Sequence, residues 1–232
     1  MFQKIIVAVD GPEGERDARA LAQHLAGSGA GFVTGHIADG TDVARGLFDL
    51  AGAESADLLV LGAHHHHHLW DTDHARATLR DAPCPVAVAP IGYADLSAPQ
   101  IGAIGVGYND HDPESDAALT TAQAIAAASG AEVRITHVVP ETNWDAPDSG
   151  AGRLAVAARE RLAGLDGVVT VVEGDVHDAL AALERGVDLL VLGSHHHGAL
   201  RRLVVGDTVG SLTRELACPL LVIPPAAAAA AA

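Results

Sequence analysis

Short runs of continuous apolar residues alternate along this chain with stretches in which Ala and Leu recur at helical spacing. Residues 4–9, Lys-Ile-Ile-Val-Ala-Val, form the first such run, closed by Asp10. Gly11-Pro12-Glu13-Gly14 turns the chain, and 15–25 carries a helical period stopped by Gly27, Ser28 and Gly29. The same logic predicts a strand over 32–37, a helix over 42–53, a strand over 57–61, a helix over 73–80 and a strand over 85–89. Residues 92–100 read as a linker. Beyond it the pattern restarts, with strands over 101–107, 132–139, 168–173, 188–192 and 219–223. Helices are expected over 116–128, entered through Asp112-Pro113-Glu114-Ser115, and over 153–162, 177–184 and 207–216; 140–152 reads as a polar loop. Strands apolar at every position suit a parallel sheet with helices on both faces.

The restart is a repeat. Asp57-Leu-Leu-Val-Leu-Gly62-Ala63-His64-His65-His66 returns as Asp188-Leu-Leu-Val-Leu-Gly193-Ser194-His195-His196-His197, and only Ala63 and Ser194 differ. His36 pairs with His137 at an offset of 101 residues, but Asp57 pairs with Asp188 at an offset of 131. The first copy therefore lacks 30 residues, about one helix and one strand, between those points. The expected architecture is α/β, two doubly wound parallel-sheet domains in tandem: a trimmed, four-stranded one over 1–92 and a complete one over 99–225. The alanine run 226–232 is low-complexity sequence with no counterpart in the first copy.

Charge narrows the partners. A formal net charge of −16, from 30 acidic against 14 basic residues, disfavours a nucleic-acid polymer, whose binding rests on clustered Lys and Arg. Lys4 is the only lysine and opens a strand rather than following a glycine loop, which argues against lysine-dependent phosphoryl transfer or Schiff-base chemistry. Cys84 and Cys218 occupy matching places, each before a proline and a strand, and are expected to be buried core residues. No stretch approaches the ~20 apolar residues of a membrane span, and the N-terminus lacks a signal-peptide pattern, so a cytoplasmic protein without membrane attachment is expected.

Candidate chemistry gathers after the apolar runs, because ligands of open α/β sheets sit beyond the carboxyl ends of the strands. Asp10 and Asn109 close the first strand of each copy; Gly62 and Gly193, with Ser194, close the fourth. His64, His65, His66, His195, His196 and His197 are metal candidates, with zinc the ion they suit. Successive residues of an extended loop point in different directions, however, so a histidine run does not by itself build a closed zinc site. No Gly-x-Ser-x-Gly elbow, His-Glu-x-x-His helix or Walker lysine is present, and Ser194 beside His195 lacks the orienting third group of a nucleophile–base pair. A binding protein rather than an enzyme is expected.

An apolar strand ending Val9-Asp10-Gly11, Gly193-Ser194 after the fourth strand, a glycine opening the last helix, and Cys-Pro before the final strand together resemble the universal stress protein superfamily. The resemblance covers nearly the whole chain, as two domains. It implies a strand order 3-2-1-4-5, an internal pseudo-dimer in which the last strands pair, possible further homodimerisation, and, in one branch, ATP bound through Gly-x2-Gly-x9-Gly-Ser/Thr. Carried onto the second copy, that pattern falls on Gly193, His196 and Gly206-Asp207, with Gly198 and Thr208 as partial compensation and Asn109 at the first strand's end. Asp207 opposes phosphate: a carboxylate there occupies the free helix N–H groups and adds like charge. In the first copy Asp10 and Gly62 survive as a remnant, His65 takes the second glycine's place, and 70–73 offers no third glycine. The resemblance thus implies a cytoplasmic stress-response binding protein with at most one weak ATP or nucleotide site, in the second domain. Two alternatives stand beside it: a histidine-rich metal- or pH-responsive module, and a protein-interaction scaffold without nucleotide.

Overall fold

A computed structural model describes residues 1–9, 12–36, 43–63, 82–96, 100–110, 112–139, 151–194, 217–225 and 227. The first copy supplies β1 (Phe2–Val9), α1 (Pro12–Leu25), β2 (Ala26–His36), α2 (Val43–Glu54), β3 (Leu58–Gly62) and β4 (Val86–Ala89). A 3₁₀ turn, Tyr93–Asp95, leads to the second copy: β5 (Ala103–Gly107), α3 (Pro113–Ser129), β6 (Glu132–Val139), α4 (Ala151–Leu162), β7 (Val168–Glu173), α5 (Val176–Glu184), β8 (Leu189–Gly193) and β9 (Leu220–Ile223). The predicted helices over 73–80 and 207–216 and almost all of the alanine tail lie outside the described residues. Among the described residues no helix is long and apolar enough to cross a membrane.

The nine strands of the described residues form one sheet in the order β2-β1-β3-β4-β9-β8-β5-β6-β7. The second copy reads 3-2-1-4-5 from its outer edge inward, and the first reads 2-1-4-5, with no third strand among the described residues, as the offset predicts. Within each copy the pairs are parallel; β4 and β9 join the copies antiparallel, through Val86↔Val222, Ala87↔Leu221 and Val88↔Leu220. One core lies on the α1, α3 and α4 side of the sheet, with Ile5, Leu21, Val60, Ile104, Ile125, Val191 and Leu221. A second lies on the α2 and α5 side, with Ile6, Leu59, Val88, Leu180, Leu192 and Val222. The strands in the middle of the sheet, β3, β4, β8 and β9 above all, are therefore buried from both faces, while the outer strands β2 and β7 are largely exposed. Cys84 and Cys218 are free and belong to the second core, and burial pushes the Cys84 thiol up to about 12.

The repeated acid at the head of the fourth strand has a structural use. Asp57 accepts the backbone N–H groups of Gln3 at 2.8 Å and Lys4 at 2.9 Å, and Asp188 accepts those of Gly102 and Ala103, both at 2.9 Å. Each carboxylate pins the start of its copy's first strand, satisfying amides that would otherwise lack partners.

One expectation is corrected. The glycines after α1 predict a turn before a strand opening at Phe32; instead β2 begins at Ala26, directly after the helix. Its register jumps from Phe2↔Ala26 to Lys4↔Gly31, so the intervening residues bulge opposite Gln3, with Gly29 at φ +79°. The linker is pinned at its start. Asp17, buried on α1, accepts the N–H groups of Gly92 and Ala94, each at 2.8 Å. The Tyr93 hydroxyl meets His24 Nδ1 at 3.0 Å, and Arg16 pairs with Asp95.

Candidate functional site

β5 and β8 are adjacent parallel strands, and open α/β sheets take their ligands beyond the carboxyl ends of such strands. Beyond β5 the chain makes a tightly bonded turn into α3. Asp112 is the helix N-cap: its Oδ2 accepts from Ser115 N at 2.9 Å and Ser115 Oγ at 2.6 Å, and Pro113 occupies the first turn. The Ser115 hydroxyl in turn accepts the Asn109 N–H at 3.2 Å. Tyr108 donates its hydroxyl to Asp116 at 2.6 Å, while its carbonyl receives Nδ1 of the buried His137 at 3.0 Å. Burial, then the bond to Asp116, raises the Tyr108 phenol above its ordinary value. An ion pair from Asp110 to Arg161, 2.6 Å, ties the turn to α4. The backbone is thereby fixed and the Asn109 side chain is left at the exposed rim.

Gly193 is explained by packing. A Cβ there would lie 2.7 Å from the Glu114 carbonyl carbon, so the first turn of α3 rests directly on the end of β8. Gly62 does the same in the first copy, where a Cβ would lie 2.5 Å from the Gly14 carbonyl oxygen. This shared role accounts for both glycines without a ligand.

Ser194 is different. Its backbone N–H reaches the Ile223 carbonyl at 2.9 Å, as Ala63 reaches Ala89 at 2.8 Å, so the two copies have the same backbone here. The Ser194 side chain is 2% exposed, and its hydroxyl has no hydrogen-bond partner among the described residues. Leaving a buried hydroxyl unpaired costs roughly 1–3 kcal/mol. Ala63, also 2% exposed, shows that the fold does not need that hydroxyl. Strand alternation places Ser194 on the side of Leu190 and Leu192, the α5 layer, whereas Gly193 faces α3. In the same layer, on the first turn of α5 and at the same end of the sheet, His177 Nε2 is also buried without a hydrogen-bond partner among the described residues. His177 carries no sequence signal beyond its place near a helix start.

Asp10, His64, His65, His66, His195, His196, His197, Gly198, Gly206, Asp207 and Thr208 lie outside the described residues. Among the described residues one metal-compatible cluster occurs, Asp175, His177 and Asp178, its ligand atoms within 4.8 Å of one another. Its first member is already engaged: Asp175 Oδ1 caps α5, accepting from His177 N at 2.7 Å and from Asp178 N.

Comparison with known proteins decides the family. The sequence matches the Universal stress protein family over residues 15–90 and again over 102–224. The chain belongs to that family. Among solved structures, a universal stress protein from Archaeoglobus fulgidus DSM 4304 superposes with a TM-score of 0.61 at 13% identity, covering 95% of this chain and 96% of the other. A putative universal stress protein from Pseudomonas aeruginosa UCBPP-PA14 gives 0.58 at 17% identity, covering 98% and 84%. At these identities the likeness is one of fold. No curated protein matches the sequence significantly. The double match agrees with a tandem universal stress protein.

Proposed function

We propose that this tandem universal stress protein binds one nucleotide-class ligand per chain, at the carboxyl ends of β5 and β8, and that the first copy has lost the capacity. The supporting observation is the orphaned Ser194 hydroxyl. It costs stability in the free protein, its counterpart is an alanine, and it stands where open α/β sheets take their ligands. In this reading Ser194 donates to a polar group of the ligand, Asn109 approaches its base or ribose from the rim, and His177 Nε2 offers a further contact. Backbone amides near Gly198 and from Gly206 to Thr208 would hold phosphates. Asp207 would weaken that hold by like charge, so binding is weak. The protein acts as a cytoplasmic stress-response sensor or binding protein rather than as a catalyst.

The test is calorimetric titration of the full chain with Mg-ATP, wild type against Ser194→Ala. Loss of one hydrogen bond weakens binding about tenfold, and the ligand-free variant unfolds at the same or a higher temperature because an unpaired hydroxyl has gone. No saturable binding, or equal affinity in both proteins, contradicts the proposal.

A further inference from the structure

The missing helix and strand leave a mark on the first copy. In the second copy β6 is flanked by β7, and α4 covers it: Val133, opposite Ile104, is 8% exposed and packs with Ala155, Ala158 and Leu162. The matching position in the first copy is Phe32, opposite Ile5, and it is 43% exposed. With β1 on one side only, β2 is a terminal strand of the sheet. Among the described residues no strand pairs with the outer edge of β2, and the Phe32 ring beside it is exposed.

Proteins blunt such edges with charges, prolines or short strands. The other terminal strand, β7, has six residues and ends in the exposed Glu173. By contrast β2, Ala-Gly-Ser-Gly-Ala-Gly-Phe-Val-Thr-Gly-His, holds no acid, lysine, arginine or proline in eleven residues. On the neighbouring elements Lys4 pairs with Glu54 at 2.9 Å and Arg19 with Glu15 at 2.6 Å, and α2 adds one exposed charge of each sign, Arg45 and Asp49, so the chain's large negative charge is not concentrated here.

We infer that the β2 edge pairs with the β2 edge of a second copy of this chain, antiparallel across a twofold axis, with Phe32 of each copy covering the junction. The fold already uses this kind of join: β4 and β9 link two parallel half-sheets edge to edge in antiparallel register. An isologous contact closes on itself, whereas pairing β2 to β7 of another copy would propagate into a filament. The regularly paired run of β2, Gly31–His36, is short. Its interface falls at the small end of specific contacts, so the dimer is weak and concentration-dependent.

Sedimentation velocity of the full chain, from micromolar to near-millimolar concentration, tests this. A monomer–dimer equilibrium is expected. Phe32→Lys should weaken it at least tenfold, and Leu154→Lys, at an exposed apolar residue of α4, should leave it unchanged. A monomer at every concentration, a dimer indifferent to Phe32→Lys, or equal loss in both variants overturns the inference. If Phe32→Lys fails to fold by circular dichroism, wild-type amide exchange decides. Protection over 31–36 that rises with concentration supports the β2 contact, and protection that does not rise overturns it.

Discussion

Glu184 Oε1 accepts the backbone N–H of Ala217 at 2.7 Å, so the last residue of α5 holds the segment that enters β9. The carboxylate is buried, and the matching residue of the first copy is Ala53. Burial raises its pKa above the ordinary 4.5, and bonds from the Ala217 and Cys218 amides only partly oppose the rise. A carboxyl that titrates higher when folded binds more protons in the folded than in the unfolded chain. Its contribution to stability is therefore fully present below about 4.5 and is lost as pH rises through the raised value. Glu184→Gln keeps an oxygen for the Ala217 amide and should remove this slope from urea-unfolding free energies measured across pH 4–8. Glu184→Ala should cost about 1–3 kcal/mol, because it strands the amide. An unchanged pH slope in Glu184→Gln would contradict the assignment.

The two strand-end glycines make a second test. Gly62→Ala and Gly193→Ala each drive a methyl into helix backbone at under 3 Å, and each should destabilise by about 1–3 kcal/mol in thermal or urea unfolding. Gly46 and Gly52, on α2, have open space for 4 Å around the point where a methyl would stand. Alanine at either should stabilise by roughly 0.5–1 kcal/mol, the ordinary helix preference. Equal effects at all four positions would show that close packing is not what requires Gly62 and Gly193.

Asp17 anchors the link between the copies. Asp17→Ala removes the acceptor for two backbone amides and should lower stability by about 1–3 kcal/mol. It should also speed amide exchange at 92–94. Rapid exchange there already in the wild type would contradict the clamp.

Much of this is legible in sequence, for physical reasons. Residues 168–173 read as a strand to the residue, because a nearly uninterrupted β-branched run bounded by Gly167 and Gly174 allows little else, and 132–139, with Val, Ile and Thr between Ala131 and Pro140, is matched as well. The missing strand follows from two offsets within one repeat. What escapes is contact between distant residues. Nothing local marks Asp17 as the partner of Gly92, 75 residues away, or separates Gly193 as a packing residue from Gly193 as a phosphate contact. The start of β2 escapes because a glycine-rich stretch reads as a turn, while pairing to β1 draws it into the sheet. Ser194 is visible only as the lone difference between two copies of ten residues. Its significance, a buried hydroxyl without a partner, requires the structure.

Asp207 bears on the strength of the proposed site. If a carboxylate occupies the amides that a phosphate would use, Asp207→Ser should tighten Mg-ATP binding by roughly tenfold or more, since both competition and like-charge repulsion go. Calorimetry of that variant beside the wild type measures it. Unchanged affinity would place the phosphates elsewhere.

In the proposed function one copy of this tandem protein keeps a ligand crevice and the other does not. The most direct test is the stoichiometry of Mg-ATP bound to the full chain at saturation, by equilibrium dialysis. One nucleotide per chain is expected, with the Ala63 copy contributing none; two per chain, or none at any concentration, would overturn the proposal.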